Sequence, residues 1–343
     1  MWMASLTQVR ERTDRSRLSA AVAPITTGCW CISKGMAGML SQTSGLAKAV
    51  GVEYESKSAA LRFPWNCLPL EIVPQSNRVL KNPSDLTATP RPRLVISCGR
   101  QGIIPSLFLK RELQDRVFTV HIQDPKINPR QFDLLIVPDH DLMRGPNVYR
   151  TTGALHYVTP DVLEAARQSP QGQESSASEK PLVPVLLGGR NGYYAFSAKD
   201  VSRLITGLRK LTARNDVRLV ILKSRRTPEA AWRRLQNEFG NKHYVWNGEG
   251  TNPYFAALAT ARWIVVTGDS VSMASEAVAT GRPVFIASLT ERRPAKRFRC
   301  FHEQFQRKGF TRPFDGQLAD WSYTPPNDTF QVARLIRERM GLR

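Results

Sequence analysis

The stretch from Trp263 to Ala287, WIVVTGDSVSMASEAVATGRPVFIA, carries the residue types best suited to chemistry. Ser272 and Glu276 are four apart, so on a helix they share one face. A helix capped by Ser270 would hold both near the mouth of the flanking strands. There the free N–H groups of a helix start can hold a phosphate. A carboxylate one turn in can accept the two hydrogens of a ribose diol. The same pattern also fits capping serines beside a solvated glutamate, and both readings stand at this level. Two glycine-rich turns follow apolar runs, Lys34-Gly35-Met36-Ala37-Gly38 and Gly188-Gly189-Arg190-Asn191-Gly192. The first has the form of a phosphate or substrate cradle, although paired glycines occur in any tight strand-to-helix turn. Polar side chains collect just past other apolar runs: Arg100, Gln123, Asp124, Asp139, His140 and Asp141. His140 and His156 fall in expected loops, whereas His121 lies inside a strand and reads as a packed residue. No Ser or Cys partner is recognisable for a nucleophilic triad.

These residues need positioning elements, and the pattern supplies them. Trp263–Thr267 and Val284–Ala287 read as buried strands around a short helix that Gly281 and Pro283 stop. Upstream, Cys29–Ser33, Val52–Lys57, Leu94–Cys98, Val117–Ile122 and Phe132–Val137 read as strands, with a helix after the first, after the third and from Thr159-Pro160. The polar run 169–180 (SPQGQESSASEK) reads as an interdomain linker. Beyond it, strands at Val183–Leu187, Arg218–Lys223 and Tyr244–Trp246 alternate with helices, one capped by Ser197 and one by Asn252 with Pro253 at its first position. Asp328 is expected to cap a final amphipathic helix. The fold class is therefore α/β, two Rossmann-like doubly wound domains facing across a cleft. The divisions are a disordered extension (1–27), an N-terminal domain on the acceptor side (28–168), the linker, a C-terminal domain (181–312) and a tail with a helix (313–343).

Composition narrows the partners. The chain has 343 residues and a formal net charge of +20, which implies attraction to nucleic acid, anionic lipid or phosphorylated ligands. Eight Lys and Arg face two Glu between Glu291 and Arg312, and eight face one Asp between Arg203 and Arg226. No nucleic-acid-binding motif accompanies them, so nucleic acid is the least favoured partner. The sequence contains no apolar run of membrane-spanning length and no apolar secretory core. The cysteines are odd in number and lack zinc spacing, so they read as buried, reduced thiols, with no metal expected. The expected location is cytoplasmic, with peripheral membrane contact through the basic surface.

Taken in order, HIQDP (121–125), FDLLIVPDHD (132–141), RGPNV (144–148), TGALHYVTP (152–160), GGRNGYYAFS (188–197), SRRTP (224–228), NPYFAALA (252–259) and GDSVSMASEAVATGRPV (268–284) resemble the mitochondrial fission "elongated mitochondria" family. That resemblance implies a GT-B-like architecture, two Rossmann-like halves with a nucleotide-sugar held mainly by the second. It implies Gly189, Asn191 and Gly192 along a diphosphate through their N–H groups, Arg225 or Arg226 neutralising it, Ser270 and Ser272 on phosphate, and Glu276 on ribose. Asp124, His140 or Asp141 would be the base for an acceptor hydroxyl. The donor would be a UDP- or other NDP-sugar, with no separate cofactor. The competing expectation is a non-catalytic adaptor that brings a division protein to a membrane. Where related bacterial chains often carry an acidic, Asn-containing loop after the first strand, this chain has a basic and apolar one.

Overall fold

The computed structural model describes residues 25–141 and 143–342; the expected disordered start lies outside that range except for its last residues. The chain runs β1 (Ile25–Ser33), α1 (Ala37–Val50), β2 (Val52–Ser58), β3 (Leu94–Cys98), α2 (Arg100–Leu113), β4 (Phe118–Ile122), β5 (Leu134–Pro138) and β6 (Val148–Thr151). It continues through α3 (Pro160–Gln168) and α4 (Pro170–Ser176) into β7 (Leu182–Leu187), α5 (Ala198–Arg214), β8 (Arg218–Lys223), α6 (Glu229–Phe239) and β9 (Tyr244–Trp246). α7 (Tyr254–Thr260), β10 (Ile264–Thr267), α8 (Val271–Val278), β11 (Val284–Ala287), α9 (Lys296–Arg307), β12 (Thr311–Pro313) and α10 (Asp328–Met340) complete it.

Two six-stranded sheets result, ordered β2-β1-β3-β4-β5-β6 and β12-β11-β10-β7-β8-β9, with every pairing parallel. Parallel strands covered by helices on both faces must be apolar throughout. LVISC in β3 and LVPVLL in β7 are accordingly buried at every position. Each strand order reverses beside its first strand, which opens a crevice at the carboxyl ends of the strands. Local signals act where expected. Gly51 ends α1 at φ 82°, its N–H reaching the Ala47 and Lys48 carbonyls. Ser197 and Asp200 close a reciprocal capping box on α5.

Within the 169–180 run, Pro170–Ser176 is a helix, capped by Ser169 and packed on α3 and α7. Three expectations change. Asn252 is not the cap of α7. Pro253 takes that place, and the Asn252 side chain accepts the Tyr254 N–H from one position further out. Asp328 sits inside α10, and its carboxylate accepts the Thr152 N–H at 3.0 Å instead of capping its own helix. Cys29, Cys31 and Cys98 are buried, but Cys67 and Cys300 are exposed.

The C-terminal helix also returns to the first lobe. Val332, Ala333 and Ile336 of α10 pack with Leu46 and Val50 of α1 against β1 and β3, in one core with Cys29 and Cys31. Among the described residues, no helix is long and apolar enough to cross a membrane.

Candidate functional site

β7 ends in two glycines for steric reasons. A Cβ on Gly188 would stand 2.2 Å from both carboxylate oxygens of Asp269, and one on Gly189 would stand 1.9 Å from the Arg226 carbonyl oxygen. Asp269, just past β10, has a fully buried side chain. Its Oδ2 accepts the Gly189 N–H at 2.8 Å and pairs with Arg226 Nη1 at 2.9 Å, while Thr267 Oγ1 donates to Oδ1 at 2.7 Å. Thr227 Oγ1 donates to the Gly188 carbonyl at 2.6 Å. The loops after β7, β8 and β10 are thus tied around one carboxylate, which a buried charge requires. Asp269 was not among the residues singled out from the sequence. The available signal was an Asp separated by one glycine from an apolar strand, in a chain with a Gly-Gly turn.

This knot alters what the glycine turn offers. The Gly189 N–H is taken by Asp269, and the Asn191 N–H donates to the Tyr194 carbonyl at 3.1 Å. The Asn191 side chain donates to the Asp269 carbonyl and accepts the Tyr193 and Tyr194 N–H groups. Neither N–H stands open toward a diphosphate in this conformation. Gly192 faces open space, and Arg225 is exposed without a partner among the described residues. Arg226, the next residue in the chain, is half-buried on Asp269.

α8 starts beside this knot. Ser270 caps it, accepting the Met273 N–H at 3.3 Å. Ser272 Oγ lies 3.0 Å from where a Cβ on Gly38 would stand, so the start of α1 approaches α8 closely. Ser275 Oγ accepts the Ala154 N–H at 3.0 Å, a second contact between the lobes. Glu276 is 8% exposed. Its Oε1 accepts Ser41 Oγ–H from α1 at 2.8 Å, and its Oε2 accepts Tyr254 Oη–H from α7 at 2.5 Å. Burial raises the Glu276 carboxyl above its ordinary range, against the opposing pull of those two hydroxyls. Burial, followed by the Glu276 charge, pushes the Tyr254 phenol well up. The glutamate faces the other lobe, not bulk water.

The expected bases are placed differently. Asp124 folds back on its own turn, accepting the Lys126 N–H at 2.9 Å and pairing with the Lys126 ammonium. Asp139 pairs with Arg150 at 2.8 Å and accepts Gln304 Nε2–H from α9 at 3.0 Å. Asp141, its side chain 2% exposed, pairs with Arg297 of α9 at 2.6 Å. Asp139 and Asp141 clamp the second lobe's basic helix, and among the described residues no hydrogen bond joins Asp124, Asp139 or Asp141 to Glu276. The His140 side chain lies outside the described residues. His121 is a packed residue, as expected: burial lowers it to about 3, its Nδ1 is 2.8 Å from Ser97 Oγ, and its ring stacks on Phe132. Burial likewise lowers His156 to about 4. His302 of α9, overlooked in the sequence, has Nε2 2.7 Å from the Gly268 carbonyl oxygen and so carries a proton there. Among the described residues, no group of three His, Cys, Asp or Glu side chains is placed to hold a metal ion.

The family model described as "Mitochondrial fission ELM1" matches residues 37–340. The mitochondrial fission protein ELM1 of Arabidopsis thaliana is 33% identical over 282 residues, covering 74% of this chain and 65% of that protein. The chain thus spans less than two thirds of that relative's length. The uncharacterized protein RP120 of Rickettsia prowazekii is 24% identical over 339 residues, covering 87% and 92%. Among solved structures, the UDP-GlcNAc 2-epimerase of Neisseria meningitidis bound to UDP-GlcNAc superposes with a TM-score of 0.52 at 12% identity, covering 93% of this chain and 100% of that one. The S. aureus MnaA–UDP structure gives 0.51 at 14% identity, with 92% and 89% covered. At these identities the likeness is one of fold: the two lobes form a GT-B architecture.

Proposed function

The chain belongs to the mitochondrial fission ELM1 family, and from that premise we propose that it binds a nucleoside-diphosphate sugar between its lobes and transfers the sugar to an acceptor hydroxyl on a membrane-associated or cell-envelope molecule. One observation carries the reading. Glu276 is a buried carboxylate at the lobe boundary whose two oxygens each accept a hydroxyl, from Ser41 on one lobe and Tyr254 on the other. A ribose 2′,3′-diol offers the same pair of donors, so a nucleotide entering as the lobes part replaces like with like. The α8 N-terminus with Ser270 and Ser272 would then meet phosphate. Arg225 and Arg226 would neutralise it, and Gly192 would leave room beside Gly189 and Asn191. On the acceptor side Asp124, His140 and Asp141 remain the candidate bases; Asp141 would have to release Arg297 first. The structural relatives' ligands, UDP and UDP-GlcNAc, support a nucleotide-sugar of this type.

Titration calorimetry with UDP-GlcNAc, UDP-glucose and a GDP-sugar tests the reading. Glu276→Ala removes two hydrogen bonds to a charged group, each about 1.5–3 kcal/mol, so binding should weaken by at least about tenfold with circular dichroism unchanged. Ser41→Ala removes the competing hydroxyl and should bind as well as the parent or better. Unaltered affinity in Glu276→Ala would take that residue out of the site.

A second reading is a scaffold that recruits a division protein without chemistry. It is favoured by one finding: the Gly189 and Asn191 N–H groups and both Glu276 oxygens already have protein partners. Failure of every nucleotide-sugar to bind would select it.

A further inference from the structure

Residues 59–93, between β2 and β3, form an insertion on the first sheet's edge strand. It carries exposed apolar side chains. Phe63 is 78% exposed and Ile72 60%, the two most exposed large hydrophobic side chains among the described residues. Phe63 projects from an anchored loop, since Trp65 and Leu68 behind it pack on the core formed by Leu61, Leu70, Val79 and Leu80. Next to Phe63 the backbone doubles back. Leu61 and Leu80 make an antiparallel bridge, the Arg62 N–H donates to the Val79 carbonyl, and the Lys81 N–H donates to the Ala60 carbonyl. That pairing turns Leu61 and Leu80 inward and gathers Arg62, Arg78 and Lys81 around one open cavity of about 600 Å³.

These three cations make no side-chain hydrogen bond or ion pair among the described residues. Several arginines elsewhere do: Arg209 with Glu238, Arg226 with Asp269, Arg297 with Asp141 and Arg299 with Glu291. Three unneutralised cations around a hollow, beside a projecting phenyl ring, match the two layers of a bilayer surface: anionic headgroups, then acyl chains. A soluble phosphate would account for the cations but not for the ring.

We propose that the 59–93 insertion is a membrane-docking surface, on which Arg62, Arg78 and Lys81 hold the phosphates of anionic phospholipids while Phe63 enters the headgroup–acyl boundary. Its position suits the acceptor side. The insertion leaves the carboxyl end of β2, and the Leu61 N–H donates at 2.7 Å to Gln101 Oε1 in the first turn of α2, at the end of the sheet where the crevice opens. A lipid-borne acceptor would arrive beside the lobe boundary. Docking does not depend on the nucleotide reading, because it is measured with no nucleotide present, and either can fail alone.

The test is sedimentation of the full chain with vesicles of phosphatidylcholine containing phosphatidylserine. The parent should bind, and more weakly as salt rises. The triple variant Arg62→Gln/Arg78→Gln/Lys81→Gln should lose about a hundredfold, and Phe63→Ser about tenfold, both with unchanged circular dichroism. The control is Arg292→Gln/Arg293→Gln/Lys296→Gln, an equal loss of charge at exposed positions of the second lobe, which should bind within a fewfold of the parent. Equal losses in the two triple variants would mean that net charge alone drives binding and would overturn the proposal. So would a parent that fails to sediment, or a Phe63→Ser variant that binds like the parent.

Discussion

At Asp269 three chain segments meet on a single carboxylate, and the neighbouring glycines exist to let them. Substituting Gly188 would place a methyl 2.2 Å from both oxygens of that carboxylate, far inside van der Waals contact. Either the loop or the Asp269–Arg226 pair must move. We expect Gly188→Ala to cost about 1–3 kcal/mol, read as a lower urea midpoint; an unchanged midpoint would mean that the loop has slack. Glu276 gives a prediction in pH. Because burial raises its carboxyl, the folded protein holds that proton more tightly than the unfolded chain. The favourable contribution is present below the unfolded value of about 4.3 and is lost as pH rises through the higher folded value. Glu276→Gln lacks this titration, so its thermal midpoint should gain on the parent's as pH rises from about 4 to about 7. Parallel curves would refute the raised carboxyl.

Among the elements, α10 departs most from what its place in the chain suggests. It begins at Asp328, beyond the second sheet's last strand, yet it lies on α1 of the first lobe. Ile336 is fully buried there, and Arg337 Nη1 donates to the Val50 carbonyl at 2.8 Å. Ile336→Ala should therefore destabilise the protein by about 2–5 kcal/mol. Hydrogen exchange should quicken in α1 and β1, not in α8 or β10; faster exchange confined to the second lobe would contradict the packing. α9 acts across the boundary in the other direction. Its Arg297 and Gln304 reach Asp141 and Asp139, so a segment read from sequence only as a basic stretch folds as a helix and spends part of its charge holding the lobes together.

For the whole molecule, the alternation of apolar runs with helical periods predicted two doubly wound halves, and two six-stranded parallel sheets are what form. That much is local: a strand buried on both faces must be apolar at every position, and a helix packed on a sheet must repeat its apolar residues every three or four. The same locality made Ser270 and Ser197 readable as caps, because a cap and its partner lie three residues apart. The sequence by itself thus determined the class of fold, most of its elements (β6, α4, α9 and β12 are the exceptions) and the turns beside which the candidate site lies. Only the tertiary structure decided the partners of the charges. Glu276 and Ser41 are 235 positions apart, and Asp141 and Arg297 are 156 apart. A side chain's partner is fixed by how whole lobes dock, and no periodicity in the chain records that.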